Sequence, residues 1–147
     1  STWALLAGKP KTMVSVDPSN NKAPKIHGLA LKVAKDEGIN YKFINDYSTN
    51  LEEIDETDLL FIDSGHTYEC LSAELKMHSH KVKKYLIFHD MNMSELQQAV
   101  GDVLSVFDGK QFDGLAAQII KEENPKWEII YKTKDNEGLW ILERKEE

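Results

Sequence analysis

The chain has 147 residues and a net charge of −7, from 25 acidic and 18 basic side chains. This length, with 41% hydrophobic and 29% charged residues, is typical of one globular domain and excludes collagen-like, disordered and disulfide-rich chains. The acidic balance argues against nucleic acid as the main partner. No apolar run approaches the roughly 20 residues that cross a bilayer, and the single cysteine, Cys70, fits a reducing, cytoplasmic compartment.

Short runs typical of β-strands alternate with segments of helical spacing. Strands are predicted at residues 13–16, 41–44, 59–62 and 85–88. A helix is predicted after the first run, and it ends at the C-cap glycine Gly38. A second helix is predicted after the third run and begins near Tyr68. A third follows the fourth run, where an amphipathic stripe extends from Leu96 to Phe107. In the first helix, Leu29, Ala30, Val33 and Ala34 are predicted to share one face.

This alternation predicts an α/β fold with a Rossmann-like, mostly parallel sheet covered by helices on both faces. The C-terminal segment differs, because two β-type runs at 127–131 and 139–142 flank a turn-rich stretch containing Asn136 and Gly138. An antiparallel hairpin at one edge of the sheet is therefore predicted.

Each of the four predicted parallel strands ends in an aspartate: Asp17, Asp46, Asp63 and Asp90. In open α/β sheets, ligands bind beyond the carboxyl ends of the strands, so four carboxylates there suit hydroxyl groups, amines or a hard cation. The alternative is that aspartate is simply common in βα turns and at helix N-termini.

The first two of these acids suggest contacts to a nucleoside. Asp17 offers two acceptors at the spacing of the ribose diol. Asp46 can accept from an adenine amino group while Tyr47 packs nearby, although either residue can instead cap the following turn.

The segment from Asp63 to Glu69 is the densest in functional side chains. His66 is a candidate base or metal ligand, and a purely structural histidine is an equal alternative. Asp63, Asp90 and Asn92, or His89 in place of Asn92, are donors that favour Mg²⁺, Mn²⁺ or Ca²⁺ over a thiolate-type zinc site.

Four segments resemble class I S-adenosylmethionine-dependent methyltransferases: Val-Asp-Pro at 16–18, Phe-Ile-Asn-Asp at 43–46, Phe-Ile-Asp-Ser-Gly-His-Thr-Tyr-Glu at 61–69 and Phe-His-Asp at 88–90. They are most similar to the small-molecule branch of cephalosporin-biosynthesis type, also described as methyltransferase family 24-like. The resemblance covers residues 1–92, and the C-terminal hairpin fits the family's last two strands.

The resemblance implies a single methyltransferase-like domain over residues 1–147. It also implies that Asp17 binds the cofactor ribose, that Asp46 and Tyr47 lie by the adenine, and that Asp63 contributes to the cofactor site. With Asp90, Asp63 would also ligate a cation that orients a substrate oxygen.

The sequence departs from the family pattern in three places. Met91 follows Asp90 where relatives carry asparagine, and Gly65 replaces an acid of the motif. The glycine-rich motif of the first strand is absent, and family topology would put that strand between those ending in Asp17 and Asp63. We therefore expect that an upstream segment or a second chain, such as another copy, supplies it, or that the chain is truncated.

The function expected from these features is methyl transfer from S-adenosylmethionine to a small-molecule acceptor, with His66 as the base and Mg²⁺ as a possible aid. A degenerate, non-catalytic binding or assembly domain is the main alternative. A metal-dependent hydrolase built on Asp63, His66, His89 and Asp90 is less favoured, because no spacing matches a known zinc motif. A nicotinamide-dependent oxidoreductase is disfavoured by the absence of G-x-G-x-x-G.

Overall fold

The computed structural model describes residues 1–18, 23–104, 106–107 and 126–145. The chain divides into two compact units, Ser1–Leu51 and Glu52–Glu147, and each has its own cluster of buried apolar side chains. None of the helices in the described ranges is long and apolar enough to cross a membrane.

The first unit is a parallel strand pair with two helices. Its elements are α1 (Thr2–Ala7), β1 (Thr12–Val16), α2 (Ala23–Asp36), β2 (Asn40–Ile44) and a 3-10 turn (Ser48–Asn50). β1 and β2 run parallel, from Thr12 opposite Asn40 to Val16 opposite Ile44. The predicted face of α2 is only half correct, because Ala30 and Ala34 are buried whereas Leu29 and Val33 are exposed.

Helix α2 ends as its sequence predicts. Gly38 adopts a left-handed φ of +72°, and its N–H donates to the carbonyl of Lys35. The N–H of Ile39 donates to the carbonyl of Ala34, which completes a Schellman motif. The buried Ile39 then leads the chain directly into β2.

The second unit contains a five-stranded sheet with the order β3-β4-β7-β6-β5. Its elements are β3 (Thr57–Ile62), α3 (Tyr68–His78), a 3-10 turn (Ser79–Lys81), β4 (Val82–His89), α4 (Ser94–Val103), β5 (Val106–Phe107), β6 (Trp127–Thr133) and β7 (Leu139–Arg144). β3–β4 and β5–β6 are parallel pairs, whereas β4–β7 and β6–β7 are antiparallel. The α/β class and the C-terminal hairpin are therefore confirmed, and the sheet of this unit is mixed. The predicted position of the hairpin at the edge of the sheet is wrong, because β4 pairs with β7 on one side and β5 pairs with β6 on the other.

Helices α3 and α4 pack against one face of this sheet. The core joins Leu75 of α3 and Val100 of α4 to Leu86 and Phe88 of β4, all at most 1% exposed. Between these two strand residues, Ile87 is half-buried, so β4 alternates rather than being fully covered on both faces as predicted.

The predicted amphipathic stripe is too long. α4 ends at Val103, and Leu104 has extended backbone angles. Val106 and Phe107 form β5 and pair with the first residues of β6. A strand partner about twenty residues further along the chain therefore overrides the helical spacing.

Among the described residues, β1 pairs only with β2, and β3 pairs only with β4. Each of these two strands consequently has one edge without a strand neighbour. The expectation that a further strand belongs between them stays a prediction.

Candidate functional site

Four functional side chains meet where β3 and β4 end. The strands are parallel, and the last residue of β3, Ile62, lies opposite Phe88 of β4. The residues that follow, Asp63 after β3 and His89 with Asp90 after Phe88, therefore come together at the carboxyl edge of the sheet. His66 reaches the same place from the loop that leads into α3.

Asp90 is the centre of this group. Its Oδ2 lies 2.8 Å from Nε2 of His66 and 3.2 Å from Nδ1 of His89. Nδ1 of His89 is also 3.5 Å from Oδ1 of Asp63. The Asp90 side chain is only 12% exposed, whereas that of His66 is 54% exposed. A buried carboxylate thus contacts a solvent-accessible imidazole.

The charges in the group change the basicity of His89. Burial lowers the pKa of His89, but the charges of Asp90 and Asp63 raise it, and a hydrogen bond to the backbone of Asn136 acts in the same direction. The net result is a pKa above the ordinary value of histidine. The His89 ring is therefore easier to protonate than an ordinary histidine when no cation competes with the proton.

The group also fits a divalent cation. One donor atom from each of Asp63, His89 and Asp90 lies within 4.8 Å of the other two. Two carboxylates and an imidazole form a common donor set for such ions. The apolar side chains of Leu71, Phe88 and others line the small pocket beneath the group, which strengthens electrostatic interactions there.

The loop that carries Asp63 and His66 is fastened to α3. The hydroxyl of Ser64 donates to Oε2 of Glu74 at 2.5 Å, and Glu74 is only 3% exposed. Thr67 caps α3 by accepting a hydrogen bond from the backbone N–H of Cys70. The sequence analysis missed Glu74, since nothing local indicates that this helical acid faces the loop.

Gly65 lies so close to α3 that it has no room for a side chain. A Cβ added at Gly65 would lie 2.7 Å from Sγ of Cys70 and 3.1 Å from its Cβ. We expect Gly65→Ala to destabilise the second unit by about 1–3 kcal/mol, because overpacking displaces the loop or the helix.

The double variant Gly65→Ala/Cys70→Ala should recover most of this loss, because it removes the sulfur atom. Denaturation of both single variants and the double variant gives their coupling, expected to be about 1 kcal/mol or more. Additive effects of the two substitutions would contradict the proposed clash.

The segment after Asp90 is held by the β6–β7 turn. The N–H of Met91 donates to the carbonyl of Gly138, and the N–H of Asn92 donates to that of Glu137. The side-chain amide of Asn92 donates to the carbonyl of Lys134 at 2.8 Å. This bond holds Asn92, predicted as a cation ligand, on the turn.

Met91 is fully buried, so the residue that follows Asp90 belongs to the core of this unit. Among the acidic, histidine and cysteine side chains in the described ranges, the third donor beside Asp63 and Asp90 is His89, the alternative that the sequence left open.

The predicted cofactor residues lie in the first unit. Asp17 follows β1, and its side chain is 51% exposed. Oδ1 of Asp46 accepts hydrogen bonds from the backbone of Tyr47 and from the side chain of Asn50, both at 2.7 Å. Oδ1 of Asp46 is therefore bonded within the segment that leads into the 3-10 turn, and Tyr47 is exposed.

A buried histidine beside Asp17 was not predicted. His27 of α2 stacks on Phe43 with a centroid separation of 3.6 Å, and its Nδ1 lies 3.1 Å from the hydroxyl of Tyr41. Nε2 of His27 is 4.0 Å from Oδ2 of Asp17. These partners come from β2 and from the end of β1, so local spacing alone could not reveal them.

No family model matches the chain, and no curated protein matches it. Among solved structures, it is similar to the crystal structure of a Corynebacterium glutamicum protein determined by a structural genomics consortium. The two are 11% identical with a TM-score of 0.53, and the match covers 92% of this chain and 62% of the other. The chain therefore spans less than two thirds of that structure, and the likeness shows a shared fold alone.

Proposed function

We propose that the chain is the catalytic part of an S-adenosylmethionine-dependent methyltransferase that acts on a small molecule, with His66 as the base. The observation that carries this proposal is the 2.8 Å contact between His66 and the buried Asp90 at the carboxyl ends of two parallel strands. The motif resemblance suggests S-adenosylmethionine as the cofactor. The contact with Asp90 suggests His66 as the group that accepts the proton.

Methyl transfer from a sulfonium needs little more than alignment of the reactants and acceptance of one proton. With its N–H at Nε2 donated to Asp90, the His66 ring has Nδ1 left to take a proton from an acceptor hydroxyl, amine or carbon acid. Asp90 orients the ring, as a carboxylate does in a catalytic triad.

The cofactor roles are assigned residue by residue. Asp17 would accept from both ribose hydroxyls, for which its exposed carboxylate is suited. Asp46 would accept from the adenine amino group through Oδ2 while Oδ1 accepts from Tyr47 and Asn50, and Tyr47 offers an exposed ring for stacking. Asp63 would contact either the cofactor or the cation.

Asp63, His89 and Asp90 would hold the cation that aids the reaction. Such an ion polarises an acceptor oxygen and lowers the pKa of its proton. The chain's own side chains provide the three donors, and His66 remains outside that group as the base.

The finer architecture is part of the same proposal. We propose a Rossmann-like fold, with the parallel pair β1–β2 in the first unit, and with the parallel pair β3–β4 and the family's terminal hairpin β6–β7 in the second. The fold similarity to the Corynebacterium glutamicum protein agrees with an α/β assignment and is neutral about the reaction.

Binding of S-adenosylhomocysteine tests the cofactor assignment. At about 100 times its dissociation constant, this product should stabilise the chain by roughly 2.7 kcal/mol, which raises the melting midpoint by several degrees. Asp17→Asn should abolish most of the shift because it removes charge-assisted acceptors for the ribose. Asp36→Asn, an exposed acid of the same unit, is the control and should retain it. No shift in the unmodified chain would contradict the cofactor assignment.

Turnover tests the role of His66. His66→Gln keeps a donor for Asp90 but cannot take a proton, so we expect methyl transfer to fall by about 10²–10⁴-fold while the product-induced shift remains. His80→Gln changes an exposed histidine of the same unit and should be neutral. Product binding without methyl transfer to any of a panel of hydroxylated, amine and carbon-acid acceptors would favour the non-catalytic alternative.

A further inference from the structure

We infer that the Asp63–His89–Asp90 site takes a first-row transition cation in preference to Mg²⁺ or Ca²⁺, with Nδ1 of His89 as one ligand. This inference rests on the cation role in the proposed function and deepens it. It concerns which ion the chain selects, and it can be tested without any methyl acceptor.

The position of the His89 ring is the main evidence. Its Nδ1 lies 3.2 Å from Asp90 Oδ2 and 3.5 Å from Asp63 Oδ1, between the two carboxylates. This nitrogen is buried from solvent and faces both carboxylates. A buried ring nitrogen at these distances from two carboxylates is placed as a metal ligand would be.

The rest of the ring is oriented by the hairpin turn. A hydrogen bond joins His89 to the backbone of Asn136, on the β6–β7 turn. Metal-binding histidines commonly donate their second ring nitrogen to a carbonyl, which fixes the ring and strengthens the ligating nitrogen. The turn thus orients the His89 ring, as the hydrogen-bond partner of a metal-binding histidine does.

The other candidate ligands are engaged elsewhere. Nε2 of His66 contacts Asp90, and His66 is not among the three residues whose donor atoms lie mutually within 4.8 Å. The side-chain nitrogen of Asn92 donates to the carbonyl of Lys134, which ties this residue to the β6–β7 turn. Among the acidic, histidine and cysteine side chains that the structure describes, the donor set is therefore two carboxylates and one imidazole, with coordination positions left for further oxygen ligands.

This donor set decides the class of ion. Mg²⁺ and Ca²⁺ prefer oxygen ligands, and Mg²⁺ requires near-ideal octahedral geometry. Imidazole nitrogen instead suits ions such as Fe²⁺, Ni²⁺, Cu²⁺ and Zn²⁺, and affinities along the first-row series follow an order set largely by the metal itself. A single imidazole in place of a third oxygen ligand thus shifts the metal selectivity of the site towards first-row transition ions.

Titration of the metal-free chain with Co²⁺ and with Mg²⁺ tests the inference. We expect Co²⁺ to bind more than about tenfold more tightly than Mg²⁺ in calorimetry, and to develop visible absorption bands that report nitrogen coordination. His89→Asp substitutes an oxygen ligand at the same position, so it should lower the Co²⁺ to Mg²⁺ affinity ratio by about tenfold and change the spectrum. His80→Asp, at an exposed histidine, is the matched control and should alter neither.

Three results would overturn the inference. They are equal affinities for the two ions, an unchanged ratio and spectrum in His89→Asp, or failure of the unmodified chain to bind either ion. The last would also remove the cation from the proposed function. The methyl-transfer proposal would remain separately testable, because binding of S-adenosylhomocysteine is measured without metal.

Discussion

Gly138→Ala is expected to destabilise the second unit by about 3 kcal/mol or more, because the substitution combines backbone strain with a steric clash. Gly138 has a φ of +92°, which L-residues rarely adopt. A Cβ there would lie 2.6 Å from the backbone nitrogen of Asn92 and 2.7 Å from its Oδ1. The clash is with main chain, so a rotamer change cannot relieve it.

The substitution should also weaken cation binding. The turn holds the segment after Asp90 through the carbonyls of Glu137 and Gly138, and it is bonded to His89 through Asn136. Displacing the turn therefore moves two of the three proposed ligands. We expect Co²⁺ affinity to fall by about 10–100-fold, as is common when a group that hydrogen-bonds to a metal ligand is altered.

Tryptophan fluorescence provides the measurement, since Trp127 and Trp140 are both buried in this unit. Glu137→Gly is the matched control in the same turn. Glu137 has a φ of +67°, so glycine relieves strain and should be neutral or stabilising by about 1 kcal/mol. If Gly138→Ala unfolds at the same denaturant concentration as the unmodified chain, the turn does not pack closely on Asn92 in the folded protein.

The strand ends of the candidate site could be predicted from sequence because they depend on local information. An apolar run identifies a strand, chain direction gives its carboxyl end, and parallel pairing brings Asp63 and Asp90 to one edge. The C-cap at Gly38 and the N-terminus of α3 at Tyr68 follow from equally local chemistry.

What could not be predicted depends on contacts between residues far apart in the chain. Asn92 lies on the hairpin because it bonds Lys134, 42 residues away. His27 is buried against Tyr41, and β5 forms because it pairs with Trp127 and Glu128. Leu29 and Val33 have the spacing of a core-facing helix surface, but α2 buries Ala30 and Ala34 in the core of the first unit instead.

Asp90→Asn should weaken binding of Co²⁺ more than about 100-fold, because it removes the one carboxylate shared by both histidines. The variant is chosen to leave the backbone undisturbed. Asp90 has a left-handed φ of +58°, a conformation that asparagine tolerates as well as aspartate. The loss is therefore one of charge. Glu52→Gln, at an exposed acid of the same unit, controls for the change in net charge.

The same variant should change how stability depends on pH. Burial lowers the pKa of His89, and the charge of Asp90 is the largest influence that raises it, so the pKa of His89 should fall in Asp90→Asn. In the metal-free chain, a raised folded-state pKa stabilises the unit fully below the ordinary value of about 6.5. That stabilisation is lost as pH rises through the folded-state value.

Denaturation of the metal-free chain between about pH 5 and 8 should therefore show this loss in the unmodified protein and a flatter profile in Asp90→Asn. Cation affinity should change in the opposite direction with pH, rising as His89 gives up its proton, since metal and proton compete for Nδ1. Nuclear magnetic resonance of the His89 ring measures the pKa itself. An unchanged His89 pKa in Asp90→Asn would mean that Asp90 does not control this ring, and the central place of Asp90 in the site would be wrong.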